Sequence, residues 1–220
     1  MSKSHVIFFD TETTGLPILK NYNSYYPPTQ LANYDSSRIA SIAYIKTDTQ
    51  YNIIKKEIVY IKPDQWSVSE EASKINGLTD EYLKNNGIPM IEFLSNFTND
   101  LENTKYLVAH NIKFDINVLL SEIHRLNLSS LYHNIRNMNF ICTMKLFSNK
   151  YPTMSKSFTS TVTLKRAYEY ITEETSTETS IETSEKFTDE KKLEYHDALS
   201  DTIMCYRIFV FLINNHKTLN

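Results

Sequence analysis

The sequence predicts an α/β fold, and three observations predict it. The first is the order of its patterns: three strand-like runs, several helix-like ones, a strand, a helix, a further strand and more helices. The second is the length of 220 residues, enough for one well-buried domain with no linker dividing it. The third is the run Val6-Ile7-Phe8-Phe9, which leads straight into Asp10 and Glu12.

That run reads as a buried strand whose last residues leave the core. Side chains alternate along a strand, so Asp10 and Glu12 share a face with their Cα atoms roughly 6–7 Å apart. Two carboxylates held there repel each other, and burial sharpens the repulsion unless a cation lies between them. Oxygen ligands of this kind suit magnesium or manganese. Taken alone, the pair reads equally well as a strand end turning into solvent. Two later acids favour the metal: Asp115, after Leu107-Val108-Ala109-His110-Asn111, and Asp201, after His196-Asp197. Each falls in the first turns of a predicted helix, where backbone N–H groups favour negative charge.

Phe9-Asp10-Thr11-Glu12-Thr13-Thr14-Gly15, His110-Asn111-x-x-Phe114-Asp115 and His196-Asp197-Ala198-x-x-Asp201 occur in that order. Together they resemble the three motifs of the DEDDh exonuclease family, which includes the proofreading subunit of bacterial DNA polymerase III, RNase T and the TREX nucleases. The similarity runs from about Val6 to Phe211. It implies a ribonuclease H-like fold, an α/β architecture with a mixed five-stranded sheet flanked by helices.

The resemblance also implies a site and a reaction. Asp10, Glu12, Asp115 and Asp201 become ligands of two divalent cations, Mg2+ or Mn2+, with Asp10 shared between them. His196 becomes the general base, its imidazole accepting a proton from water near neutral pH. Thr13, Gly15, Leu16, Asn76, Asn111 and Phe114 fall around the terminal nucleotide, Leu16 as a wedge and Phe114 as a stacking face. For Leu16 and Phe114 a place in the core is the competing reading. Asn76 stands where many members carry histidine; it keeps hydrogen-bonding capacity but no imidazole role.

The implied activity is 3′-to-5′ hydrolysis at single-stranded 3′ ends, releasing nucleoside 5′-monophosphates, with DNA favoured. A 3′-end-trimming ribonuclease is the alternative within enzymes, since 2′-hydroxyl contacts are not legible in sequence. A non-catalytic polymerase-associated module is the alternative outside them, disfavoured because all four acids and the histidine are present. Partners expected are single-stranded nucleic acid 3′ ends and a separate polymerase.

The remaining elements follow in order. Residues 18–37 read as a long tyrosine-rich loop around Pro27-Pro28, its rings either packing the loop down or stacking on bases. Arg38–Ile45 and Tyr51–Ile61 read as two strands completing an antiparallel meander. Glu71–Asn76 reads as helical, Thr79 or Asp80 caps a short helix, and Pro89 starts another with Phe93, Leu94 and Phe97 inward. Tyr106–Ala109 is a fourth strand, Lys113–Leu126 a helix, Phe140–Thr143 a fifth strand, and Met144–Asn149 a helix. Thr161–Ile171 is helical, and Ala198–Asn214 is the last helix, with Cys205, Ile208 and Leu212 sharing a stripe with Asp201.

The tract from about 172 to 192 is rich in Glu, Ser and Thr with few large apolar residues, and reads as a flexible acidic insertion. It is either a tolerated spacer, the favoured reading, or a polyanionic lid. Net charge is −3, but the distribution is uneven. Between 103 and 170 nine basic residues face three acidic ones, and between 171 and 197 nine acidic residues face three basic ones. The basic middle is a candidate polyanion surface or a solvated helix face. Cys142 and Cys205 are isolated and read as buried thiols. Residues 1–5 are too short for a signal peptide and no apolar run approaches the ~20 residues of a membrane span, so a soluble intracellular protein is expected.

Overall fold

The computed structural model describes residues 5–22, 24–154, 161–177, 193 and 195–215. Strand β1 (His5–Thr13) is central, because Val6 to Phe9 are apolar on both faces and all four are buried. A small antiparallel hairpin follows, formed by β2 (Leu19–Asn21) and β3 (Ser24–Tyr25). Next, β4 (Ile39–Thr47) runs antiparallel to β1, and β5 (Ile53–Tyr60) antiparallel to β4. On the other side β6 (Thr104–Ala109) and β7 (Asn139–Cys142) add in parallel. The sheet is therefore mixed, five-stranded and ordered β5-β4-β1-β6-β7.

The helices are α1 (Glu70–Asn76), α2 (Asp80–Asn86), α3 (Met90–Asp100), α4 (Ile112–Arg125), α5 (Ser129–Arg136), α6 (Thr143–Lys150), α7 (Leu164–Thr177) and α8 (Ala198–Asn214). Local sequence sets their ends. Ser69 and Thr79 accept from the amides of Ala72 and Tyr82 at the starts of α1 and α2, and Gly77 ends α1 at φ 71°.

Alternation along β1 divides the core in two. Ile7 and Phe9 join Ile42, Tyr44 and Leu107 in one cluster with Phe93, Phe97, Ile116 and Leu119 of α3 and α4. Val6 and Phe8 join Ile45 and Val108 in a second with Tyr206 and Phe209 of α8. Phe8 meets those two rings edge-on, at centroid distances of 5.2 and 5.1 Å. Asp10 and Glu12 continue the Phe8 side of the strand, so they arrive on the face that α8 covers.

Several expectations are corrected in detail. The segment 18–37 is not a plain loop: it holds the β2–β3 hairpin and a 3₁₀ turn over Leu31–Tyr34, whose Tyr34 is buried in the first cluster. Helix α5 lies where no element was expected; its buried residues are Tyr132 and Ile135, with Leu131 partly buried against the core, too short an apolar pattern to stand out. Helix α7 begins later than Thr161 and continues to Thr177, six residues into the tract expected to start near 172. The rest of that tract, 178–192, lies outside the described residues. Cys205 is buried and Cys142 partly so, both as free thiols. Among the described residues no helix is long and apolar enough to cross a membrane.

One buried ion pair ties α4 to the strand beside β1. Arg38 Nε and its terminal nitrogen donate to the two oxygens of Glu122 at 2.7 and 2.9 Å, and the Ile39 amide adds a third bond at 3.3 Å. Glu122 is 2% exposed and Arg38 14%. Replacing Glu122 with alanine leaves a guanidinium without its partner in a largely dry site. Chemical denaturation of Glu122→Ala is therefore expected to show a loss of about 3–5 kcal/mol; a loss below about 1 kcal/mol, the range of an exposed pair, contradicts the assignment.

Candidate active site

The site begins at the carboxyl end of β1, where the register with β4 shifts between Glu12 and Thr13. Such bulges re-aim side chains at a sheet's end. Asp10 and Glu12 come from this strand, Asp115 from the first turn of α4, and Asp201 from the first turn of α8. The two helices approach from opposite faces of the sheet. Thr11, between the two strand acids, points to the other side and there meets Asp115: its amide and hydroxyl donate to Asp115 Oδ1 at 3.1 and 2.9 Å.

Asp201 is placed by a cap. Asp197 accepts from the Ser200 amide at 3.0 Å and the Ser200 hydroxyl at 2.7 Å, which fixes the start of α8. His196 precedes it in a left-handed conformation, φ 64°, and is exposed. Ligand atoms of Glu12, His196 and Asp201 all lie within 4.8 Å of one another.

Electrostatics show what this convergence costs. Burial, then the charges of Asp115, Asp201 and Glu12, hold Asp10 well above the usual carboxylate range. Burial and the charges of Asp201 and Asp115 push Glu12 up to about 8. Asp115 rises to about 7 through burial, against the opposing hydrogen bonds from Thr11. Asp201 also rises to about 7 through burial, with the His196 amide acting the other way. In addition, Asp201 Oδ1 is inaccessible and accepts no hydrogen bond among the described residues. A buried acceptor without a donor, among acids that raise one another, fits a hard divalent cation, and the all-oxygen set with one neighbouring imidazole suits Mg2+ or Mn2+.

The expected substrate residues divide into two groups. Thr13 ends β1, and Gly15 and Leu16 follow it in a braced segment. Thr14 Oγ1 donates to Ser36 O at 3.0 Å and accepts from the Arg38 amide at 2.9 Å, and Ser36 Oγ donates to Leu16 O at 2.8 Å. A Cβ on Gly15 would sit 2.8 Å from the Ser36 carbonyl, so the close approach requires glycine. Thr13 is buried, its hydroxyl spent on Gly15 O at 2.8 Å. Leu16 is 76% exposed, which removes the reading of it as a core residue.

Asn76 sits beside Glu12, where its side chain opposes the rise of that carboxyl, and its Nδ2 donates to Thr13 O at 3.3 Å. With Glu12 and His196 it lines a cleft of about 450 Å³ that Tyr60, Tyr82 and Tyr195 also border. Asn111 lies on the Asp115 flank, at φ 68° before α4. Phe114 is half-buried and packs against the first core cluster, so it is as much a wall of the core as a face for a ligand. His110 is not part of the acid cluster: its ring nitrogens lie 3.0 Å from Thr143 Oγ1 and from Val162 O, and burial lowers it to about 4.

Sequence reasoning missed Thr11, which was legible in principle, because a hydroxyl between two same-face acids must point to the opposite side.

The pattern of the exonuclease family RNase_T matches residues 7–209. The chain is 32% identical over 148 residues to DNA polymerase III subunit epsilon of Buchnera aphidicola subsp. Schizaphis graminum, covering 67% of this chain and 57% of that protein. It is 32% identical over 133 residues to the same subunit of Treponema pallidum, covering 60% and 53%. The chain thus spans a little over half the length of these curated relatives. Among solved structures, E. coli exonuclease I in complex with a dT13 oligonucleotide superimposes with a TM-score of 0.66 at 18% identity, over 98% of this chain and 42% of that one. Cell-death related nuclease 4 superimposes at 0.64 and 14%, over 96% and 64%. These two likenesses establish the same α/β fold. With a family pattern that runs from the first strand into the last helix, the chain belongs to the RNase_T exonuclease family.

Proposed function

We propose that the protein is a divalent-metal-dependent 3′-to-5′ exonuclease that releases nucleoside 5′-monophosphates from single-stranded 3′ ends, with DNA as the favoured substrate. The observation that carries this reading is that ligand atoms of Glu12, His196 and Asp201 lie within 4.8 Å of one another, with Asp10 and Asp115 buried close enough for the four acids to raise one another. DNA is favoured because the curated relatives are DNA polymerase III subunits and exonuclease I of E. coli has been captured with oligodeoxynucleotides. The relatives' names also favour a separate polymerase as partner.

Asp10, Glu12, Asp115 and Asp201 are the residues that would hold two divalent cations, which would supply charge to neutralise phosphate and make water easier to deprotonate. His196, exposed and next to Glu12 and Asp201, takes the proton from the attacking water. Thr11 keeps Asp115 from turning away, and the Asp197 cap does the same for Asp201. Leu16, standing clear of the surface, separates the terminal base from its neighbour, which a flexible single strand permits and a duplex resists.

Digestion of matched 5′-labelled DNA and RNA oligomers tests the reading. Single nucleotides are expected from DNA in Mg2+ or Mn2+ and none in EDTA. Asp10→Ala is expected to fall to background, and His196→Ala by about 10²–10⁴-fold with metal still bound. Wild-type-like turnover in either variant contradicts the mechanism. Faster release from RNA assigns the protein to RNA ends instead, and no release from either identifies a binding module.

The raised carboxylates give a second test, of the metal. Folding favours their protonated forms, so the stability they lend is complete below about pH 4, near their unfolded values, and is lost as pH climbs through about 7 to 8. In EDTA the melting temperature is expected to fall between pH 5 and pH 8. Saturating Mn2+ is expected to raise it more at pH 8 than at pH 5, because the cation binds the ionised acids. An equal shift at both values contradicts binding by these acids.

A further inference from the structure

The sequence offers Phe114 as the stacking face for a terminal base, but the structure leans that ring on the core. Another aromatic face stands beside the acids. The cleft of about 450 Å³ that Glu12 and His196 line is also lined by Tyr60 and Tyr82. Tyr82 is 41% exposed and meets Tyr60 edge to face, at 5.0 Å between centroids and 89° between planes. A perpendicular pair covers at most one face of either ring, which leaves a face of Tyr82 for a ligand. The pair is firmly placed. Tyr60 packs against Ala40, Leu78 and Leu83, and the Tyr82 amide donates to the Thr79 hydroxyl at 3.2 Å in the first turn of α2. The turn between α1 and α2 is tied in turn to the strand that carries Glu12. Asn76 Nδ2 donates to Thr13 O at 3.3 Å, and Asn76 Oδ1 accepts from the Leu78 amide at 3.0 Å. Gly77 lines the same cleft, and a Cβ there would meet nothing within 4 Å, so this wall leaves room for a planar group.

We propose that Tyr82 is the stacking platform for the 3′-terminal base, braced by Tyr60, and that Phe114 serves the core instead. The proposal rests on the exonuclease reading above and names a further substrate contact within it. Size supports the assignment: a cleft of about 450 Å³ lies in the range of a site for one small molecule, so it takes one nucleotide rather than a run of them. Position supports it too. A base lodged against Tyr82 shares its cleft with Glu12, His196 and Asn76, which leaves its sugar and phosphate beside the acids. Stacking also suits the task. Every base has a π-face, so a tyrosine ring holds whichever nucleotide is terminal, without the hydrogen-bond readout that would favour one.

The test compares the Kd of dTMP with that of 2-deoxyribose 5-phosphate, which lacks the base, by calorimetry on the full chain in Mg2+. Wild type and Tyr82→Phe are expected to bind dTMP about tenfold more tightly, the range of one stacked base. Tyr82→Ala and the bulkier Tyr82→Leu, which keeps an apolar contact for Tyr60, are expected to lose that preference by weakening dTMP alone. Phe114→Leu is expected to keep it. KM for a single-stranded DNA oligomer is expected to rise about tenfold in Tyr82→Leu when the 3′ end carries a base, and to stay at the wild-type value when that end is abasic. A wild-type protein without the preference, a preference that survives in Tyr82→Leu, or one that disappears in Phe114→Leu overturns the proposal. Equal weakening of both ligands overturns it too, because Tyr82 then supports the fold. A protein that digests no nucleic acid yet shows a preference dependent on Tyr82 sinks the exonuclease reading and leaves the base platform standing.

Discussion

Mutual repulsion among Asp10, Glu12, Asp115 and Asp201 is the constraint on which the rest of the structure depends. Left to themselves, four acids at one buried end of a strand would spread apart or stay protonated, and three of them are raised to about 7 or 8. They stay together because each is fixed by the fold rather than by the other three. β1 holds two through pairing on both sides, Thr11 holds the third, and the cap of α8 holds the fourth. The packing of Phe8 between Tyr206 and Phe209 then locks α8 against the strand. A site that stores unfavourable charge in a rigid frame is prepared for cations and for the charge that develops on phosphate.

The same frame carries the substrate side. Arg38 and Glu122 join α4, the helix of Asp115, to the start of β4, and the adjoining Thr14–Ser36 bonds hold the segment that exposes Leu16. Displacement of α4 therefore reaches both Asp115 and Leu16. Arg38 also lies over the ring of Trp66, at 5.7 Å, and Arg125 reaches Asp35 at 3.0 Å, so the joint is a network rather than one bond.

Much of this was legible in the sequence where chemistry forces spacing. The acids of β1 follow from a two-residue step, and Asp201 from its distance to His196 and the apolar stripe of α8. The strands were legible because they are apolar runs, and α3, α4 and α8 because their stripes are long. Helix α5 and the β2–β3 hairpin were not, since eight residues with two buried side chains and a third half-buried, or three residues paired with two, leave no periodic trace. Leu16 and Phe114 show the limit for site residues. Both were candidates for wedge or core, and only packing separates them: Leu16 stands in solvent, while Phe114 leans on the core.

The central claim is that the four acids are held together for cations. Anomalous scattering from crystals grown with Mn2+ near pH 8 tests it most directly. The account predicts anomalous density bounded by Asp10, Glu12, Asp115 and Asp201, with Asp201 Oδ1 turned toward it. No density there, with the carboxylates paired to protein donors instead, would contradict it.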